Sequence, residues 1–254
     1  MKKILILILL FPCVGQAQVQ LKEDYTRAHI DSLRKLIQNS GDKSFDLFYH
    51  NGAKVDSIMH RKGYAQGIVD YLIAKEEIDP KLWTPGGKDI SQTPDWNKLR
   101  SVIGHKYSKV YADRTVLGAQ IRWYGYKKDT IQLLKYNVEK IDKYGLDTVG
   151  LGRADINNIV FFQIFMHSKA QTVLMKGRQW MEVILKAEPD NSAFMDTYAN
   201  ILYKAGHIKE GISFEQKAKQ LEETHAATEN RVPDKVYKET LEKMKAGLPT
   251  WSNQ

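Results

Sequence analysis

The sequence predicts an all-α chain, a superhelix of stacked helical hairpins of the α-solenoid kind, on three observations. Apolar residues recur at three- and four-residue intervals over most of the length. The stretch 192–221, SAFMDTYANILYKAGHIKEGISFEQKAKQL, reads as two short amphipathic helices joined at Gly206. No alternating strand pattern extends over a comparable span.

The first residues are set apart from the fold. Lys2 and Lys3 form a charged start, 4–11 an apolar run, and Gly15-Gln16-Ala17 a small-residue cleavage site. That is the pattern of a secretory signal peptide, 1–17, too short for a membrane span. Cleavage after Ala17 predicts an exported protein, periplasmic or secreted. A lipoprotein reading through Cys13 is opposed by bulky Phe11 and Pro12. Cys13 is the only cysteine and leaves with the signal, so the mature chain has no disulfide, thiol nucleophile or redox pair. Loss of Lys2 and Lys3 lowers the formal charge from +8 to +6. The remaining positive charge is spread without a block of like charges, which reads as solubility and gives no nucleic-acid partner.

Taken in order, 24–38 carries a helical stripe of Tyr25, Ile30, Leu33, Leu36 and Ile37. Asn39-Ser40-Gly41-Asp42 stops it, with Gly41 as the expected C-terminal cap. Over 45–74 two patterns compete. Asn51-Gly52 is a hairpin signal, whereas Val55, Ile58, Met59, Ile68, Val69, Leu72 and Ile73 keep helical spacing. The spacing favours helices with a break at Asn51-Gly52. Residues 82–94 (LWTPGGKDISQTP) form a loop that closes an N-terminal block, 18–93.

Asp95 caps the next helix, on Trp96, Leu99, Val102, Ile103 and Tyr107. A second spans 110–123 and a third 129–144, ended by Gly145. After a glycine-bearing loop at 148–153, the apolar run 155–167 fits a buried strand or a central buried helix; its length and helical flanks favour the helix. Another helix covers 173–186, before Pro189. After the opening hairpin, 233–246 reads as a closing helix with Pro233 at its start and Gly247 past its end. Tyr237, Leu241 and Met244 mark its buried face.

Laid on the 34-residue tetratricopeptide pattern, the opening stretch places Tyr198 and Ala199 at the large-then-small pair of the first helix. Gly211 takes the small slot of the second, followed by Phe214 and Ala218. Small residues belong there because the helices cross closely. Gly177, Trp180 and Leu185 give a looser match one unit earlier. IMHRK (58–62) and FMHSK (165–169) are also alike, each with an Asn eight residues before its Met. The second region, 94–254, is therefore expected to be tetratricopeptide-like with a C-terminal capping helix.

YADRTVLGAQIRWYG, KYNVEKIDKYG, INNIVF, DTYANILYKAG and the closing MKAGLPTW together resemble a helical region of exported bacterial thioredoxin-like proteins. The resemblance covers roughly 45–251. In that family the region accompanies a thioredoxin domain with a Cys-x-x-Cys site. No Cys-x-x-Cys occurs here, and the residues ahead of Asp24 leave no room for such a domain. The resemblance thus implies an accessory repeat module without thiol–disulfide chemistry.

Catalytic patterns are otherwise missing. There is no His-Glu-x-x-His, P-loop or Gly-x-Ser-x-Gly. Gly150-Leu-Gly152 lacks a third glycine, and Ser32-Leu-Arg-Lys35 lacks its companion motifs. The histidines are scattered; His60 and His167 read as helix-end residues. The aromatics Trp96, Tyr107, Tyr111, Trp123, Tyr124 and Tyr126 read as packing. No cofactor and no metal site is expected, and no enzyme. The candidate site is the row Asp196, Asn200, Tyr203 and Lys204, spaced to line the concave face of a repeat array or to form a solvated polar face. The expected function is a non-catalytic scaffold that binds a protein or peptide. The alternative is an accessory subunit of a separate periplasmic thioredoxin-fold oxidoreductase.

Overall fold

The computed structural model describes residues 25–89 and 92–251; the predicted signal peptide lies outside them. The described residues form twelve helical segments, packed mostly between sequence neighbours. Among them the only β pairing is an isolated antiparallel bridge, Trp83 to Asp89, in the 82–94 loop. No described helix is long and apolar enough to cross a membrane. The packing divides into two units, up to Val116 and from Leu117 onward.

The first unit holds α1 (Arg27–Leu36), α2 (Lys43–His50), α3 (Gly52–Met59), α4, α5 (Trp96–Lys106) and the start of α6 (Lys109–Tyr126). Helix α4 runs as Tyr64–Ile73, widens to a π-helical stretch at Ala74–Ile78 and ends as Asp79–Leu82. The helical spacing prevails over the hairpin signal: Asn51 separates α2 from α3. Helix α1 ends differently from expectation. Gly41 is not left-handed; Ile37 turns extended at the cap, and the Asp42 carboxylate accepts the Gln38 amide (2.6 Å) and the Asn39 amide (3.1 Å). A carboxylate satisfies the turn in place of a glycine. At the next junction the Asp56 carboxylate accepts the Gly63 and Ala65 amides and starts α4.

The π-helical stretch carries Glu76 and Glu77. Glu76 accepts the Ser40 hydroxyl at 2.6 Å and Glu77 accepts the Lys106 ammonium at 2.5 Å, with the Tyr107 hydroxyl 3.4 Å from each carboxylate. The extra residue of a π turn lets both carboxylates meet this cluster. Arg114 holds Asp70 bidentately, at 2.6 and 2.8 Å, and lies over the Tyr111 ring, itself stacked on Tyr49. Tyr107 and Tyr111 are therefore packing and network residues.

The second unit holds the rest of α6, then α7 (Thr130–Tyr144), α8, α9 (Gln171–Ala187), α10 (Ser192–Lys204), α11 (Ile208–Thr228) and α12 (Val236–Lys245). Asp95 caps α5 as expected, through the Lys98 amide; Asp129, expected as the first residue of its helix, instead caps α7 through the Gln132 amide. The apolar run is helical: α8 begins as Gly152–Asn158 and continues as a π-helical stretch, Ile159–Phe165. Val160, Ile164 and Phe165 are buried with Leu174, Met181, Ile184 and Ile201, and the α7 stripe of Leu134, Val138 and Ile141 packs against them. Each such side chain contributes about 1.5–3 kcal/mol on burial.

Helices α10 and α11 form the hairpin expected from the sequence. Gly206 makes the turn at φ +93°, a conformation that strains any residue with a Cβ. Helix α11 extends to Thr228, beyond the expected end at 221. Its buried face is Gly211, Glu215, Ala218, Glu222 and Ala226, spaced at helical intervals. Helix α12 starts at Val236 and not at Pro233. The Glu222 carboxylate accepts both the Arg231 guanidinium (2.6 and 3.2 Å) and the Asp234 amide (2.8 Å), which holds 231–234 as a loop. Tyr237, Leu241 and Met244 form the buried face of α12, as the sequence predicts.

At Gly211 an added Cβ would lie 2.9 Å from the Tyr203 amide nitrogen and 3.0 Å from the Ala199 carbonyl oxygen. At Gly67, mid-helix in α4, it would meet nothing within 4 Å. Helix propensity alone favours alanine over glycine by about 1 kcal/mol. Gly67→Ala is therefore expected to stabilise the protein by about 0.5–1 kcal/mol. Gly211→Ala is expected to destabilise despite the same propensity gain, and Gly211→Leu by about 1–3 kcal/mol. Urea melts of the three variants check this; equal shifts at 211 and 67 would refute the close crossing.

Candidate functional site

Asp196, Asn200, Tyr203 and Lys204 lie on one face of α10, and the structure brings all four together. Their exposure is low. Asn200 and Tyr203 are buried, at 2% and 5% exposed, and Asp196 and Lys204 are half-buried. The face is covered by the chain's own C-terminal segment, α12 and the residues after it.

Each side chain is engaged there. The Asn200 side-chain amide donates to the Asp196 carboxylate (3.1 Å) and carbonyl (3.0 Å), and its oxygen accepts the Thr250 hydroxyl at 2.7 Å. The Tyr203 hydroxyl is shared between the carbonyls of Leu248 (3.1 Å) and Met244 (3.3 Å). The Lys204 ammonium donates to the Phe165 carbonyl, a group left free by the end of the π-helical stretch. It also lies 5.1 Å above the Trp251 ring and 5.6 Å from the Phe165 ring. Trp251 packs edge-on against Phe165 and tilted against Tyr203, with centroids 6.2 and 6.3 Å apart. Burial, with Lys169 nearby, lowers the Lys204 pKa.

Sequence reasoning missed Thr250, Trp251 and, most of all, Glu215. Periodicity contains the signal for Glu215, which stands between Gly211 and Ala218 on the buried stripe of α11. Glu215 is fully buried, and neither carboxylate oxygen has a donor. Its acidic neighbour is Asp196. Burial pushes both pKa values up; the Asp196 charge raises Glu215 further, and the Asp234 charge raises Asp196. Seven residues on, Glu222 shifts the other way. The Arg231 guanidinium and then the Asp234 amide lower its pKa. Two glutamates on one helix face thus behave oppositely, because only one has donors.

Neighbouring carboxyl groups with raised pKa values are suited to proton transfer, but Glu215 is fully buried. Among the described residues no group of three or more His, Cys, Asp and Glu side chains is placed to hold a metal ion. Ser32 spends its hydroxyl on the Ala28 carbonyl one turn back. In the first unit an open cavity of about 510 Å³, lined in part by Arg34, Arg61, Tyr64 and Tyr71, has its Tyr64 hydroxyl committed to Asp31.

The sign of the pH dependence follows from the burial of the two carboxyl groups. Folded Glu215 and Asp196 hold protons more tightly than unfolded ones, whose values are 4.5 and 3.8. Their contribution is complete below that range and is lost as pH rises through the raised folded values. Asp234 and Tyr237, which face Asp196, do not supply a cation to offset this. Glu215→Gln is expected to be more stable than the wild type at pH 8 by roughly 1–3 kcal/mol, with the gain vanishing at acidic pH. Melts at pH 4.5 and 8 check this, and parallel profiles would show that burial does not raise the Glu215 pKa.

No protein-family model, curated protein or solved structure matches the chain. The resemblance to the helical region of thioredoxin-like proteins therefore has no family assignment behind it, and the all-helical architecture and the α10 face carry the functional reading.

Proposed function

We propose that the chain is an exported, non-catalytic helical-repeat protein, a scaffold that holds a protein or peptide partner. Its second unit is read as a tetratricopeptide-like stack closed by α12. The observation that carries this reading is the α10 face, where Asn200, Tyr203 and Lys204 together hold a short irregular run of polypeptide, 248–251. Side chains that satisfy a backbone carbonyl, a hydroxyl and an aromatic ring at neighbouring points form a peptide-recognition pattern. Further support comes from the close α10–α11 crossing at Gly211, the geometry on which tetratricopeptide hairpins depend. The signal-like residues 1–17 motivate the compartment.

The experiment is affinity purification of the mature protein from its native envelope, beside Asn200→Ala combined with Lys204→Glu. The expected outcome is a retained partner whose recovery falls at least about ten-fold with the double variant, the loss of roughly one hydrogen bond and one cation–π contact. Undiminished recovery would remove the α10 face from the reading. A thioredoxin-fold oxidoreductase as the retained protein would select the accessory-subunit alternative.

A further inference from the structure

We propose that the open cavity between α1 and the first half of α4 binds a small organic anion, a carboxylate carried on an apolar ring. Arg34 and Arg61 take the carboxylate, and Tyr71 and the backbone at Gly67 take the ring. The site lies wholly in the first unit and stands apart from the scaffold reading and the α10 face.

The cavity holds about 510 Å³, within the range of about 300–1,000 Å³ that small-ligand sites occupy. Its floor is one stripe of α4, where Tyr64, Gly67, Ile68, Tyr71 and Leu72 recur at three- and four-residue steps. Gly67 has no reason in the fold to be a glycine. Its backbone is not in the left-handed region, and a Cβ there would meet nothing within 4 Å. A glycine in mid-helix only weakens the helix. What the missing side chain does is open the α4 backbone to the cavity, so that a flat group can lie directly on it. A local rule broken with no packing reason marks a functional position.

The walls supply charge of one sign. The neighbouring carboxylates are committed elsewhere: Asp31 accepts the Tyr64 hydroxyl, Asp56 accepts the Gly63 and Ala65 amides, and Asp70 is held by Arg114. Among the described residues no ion pair is left for Arg34 or Arg61, and no acid lines the cavity. Arg34 stands one turn after Asp31 on α1 and faces the same Tyr64 hydroxyl. Arg61 is fixed through its backbone, its amide donating to the Asp56 carbonyl (2.9 Å) and its carbonyl accepting the Tyr64 amide (3.2 Å). Two guanidinium groups on one cavity fit a carboxylate. The other walls specify what carries it. Tyr71 is 63% exposed, a large ring turned to the opening, and Ile37, Ile68 and Leu72 are aliphatic. A ring stacks on the tyrosine, whereas a bare inorganic anion would leave these surfaces wet. Aliphatic walls give the hydroxyls of a sugar acid no partners, which selects an apolar ring.

The test uses the full mature chain and 2-naphthoate, titrated by calorimetry at low ionic strength. The expected Kd is about 1 mM or tighter, with neutral 2-naphthamide at least about ten-fold weaker. Arg34 and Arg61 are exposed, so Arg34→Gln and Arg61→Gln should melt like the wild type; each is expected to weaken binding about five- to ten-fold. Gly67→Leu fills the floor of the cavity and is expected to abolish binding in a chain that melts no lower than the wild type. If that variant does not melt cooperatively, Gly67→Ala decides: it should be more stable than the wild type and yet bind at least about three-fold more weakly. No binding of 2-naphthoate up to about 10 mM overturns the proposal, as does unchanged affinity in either arginine variant or in the deciding Gly67 variant. Acetate or inorganic phosphate bound as tightly as 2-naphthoate would remove the ring from the site and overturn it too. Glucuronate bound more tightly would overturn the apolar body in favour of a sugar acid. Asn200→Ala with Lys204→Glu should leave 2-naphthoate binding unchanged, so this site and the scaffold reading fail separately.

Discussion

Helix α11 passes α10 so closely at Gly211 that a single methyl group would press on the backbone at Ala199 and Tyr203. Contact at that distance permits one register, and the other contacts of the antiparallel pair follow from it. Stepping forward along α11 while stepping back along α10 brings Phe214 edge-on to Tyr198, Glu215 to Asp196, and Ala218 to Met195. The same crossing buries Ala199 and sets Asp196 beside Glu215, while the Asn200 and Tyr203 side chains reach the end of α12 and the residues beyond it. The acid pair and the seat of the C-terminal helix are consequences of one missing side chain.

The buried stripe of α11 is unusual in its chemistry. Between its three small residues it places two glutamates, which would be costly in the absence of compensation. Glu222 is compensated by Arg231 and the Asp234 amide, and in return it determines where α12 begins. Glu215 has no such donors and is tolerated by keeping a proton. Replacement of a buried polar pair by apolar residues is often neutral or stabilising, so retention of this pair is not explained by stability. Its effect is to make the α10–α11 contact respond to pH, while the Arg231–Glu222 pair leaves the loop into α12 firm near neutrality.

Much of the architecture was legible from periodicity and punctuation. The helical breaks at Asn51 and Gly206, the cap at Asp95, and the buried face of α12 follow from local signals that tertiary structure does not override. Elsewhere tertiary structure prevailed. Gly41 and Pro233 carry the expected residue types for a helix end and start, yet Asp42 and Glu222 supply the hydrogen bonds that decide those boundaries. The π-helical stretches leave no mark on an apolar period. At the candidate site, the sequence could place four side chains on one face of α10 but not the segment that covers them, because Thr250 and Trp251 are about fifty residues away and reach the face only through the fold. Glu215 was hidden for a different reason: a glutamate on an amphipathic helix reads as solvated unless its register with Gly211 and Ala218 is followed strictly.

The α10 face is filled by the chain's own C-terminal run, and the contacts that hold it differ in kind. The Tyr203 hydroxyl takes a backbone carbonyl, Asn200 takes a hydroxyl, and Lys204 lies over an aromatic ring. The run is also tied to α12, because the Leu248 amide donates to the Lys243 carbonyl and so places the Leu248 carbonyl for Tyr203. The Lys204 ammonium is partly stripped of water, so the Trp251 ring beneath it returns more than it would at an open surface. One face of α10 thus closes the second unit with a helix cap, a hydroxyl and a ring, each satisfying a group that burial would otherwise leave short of a partner.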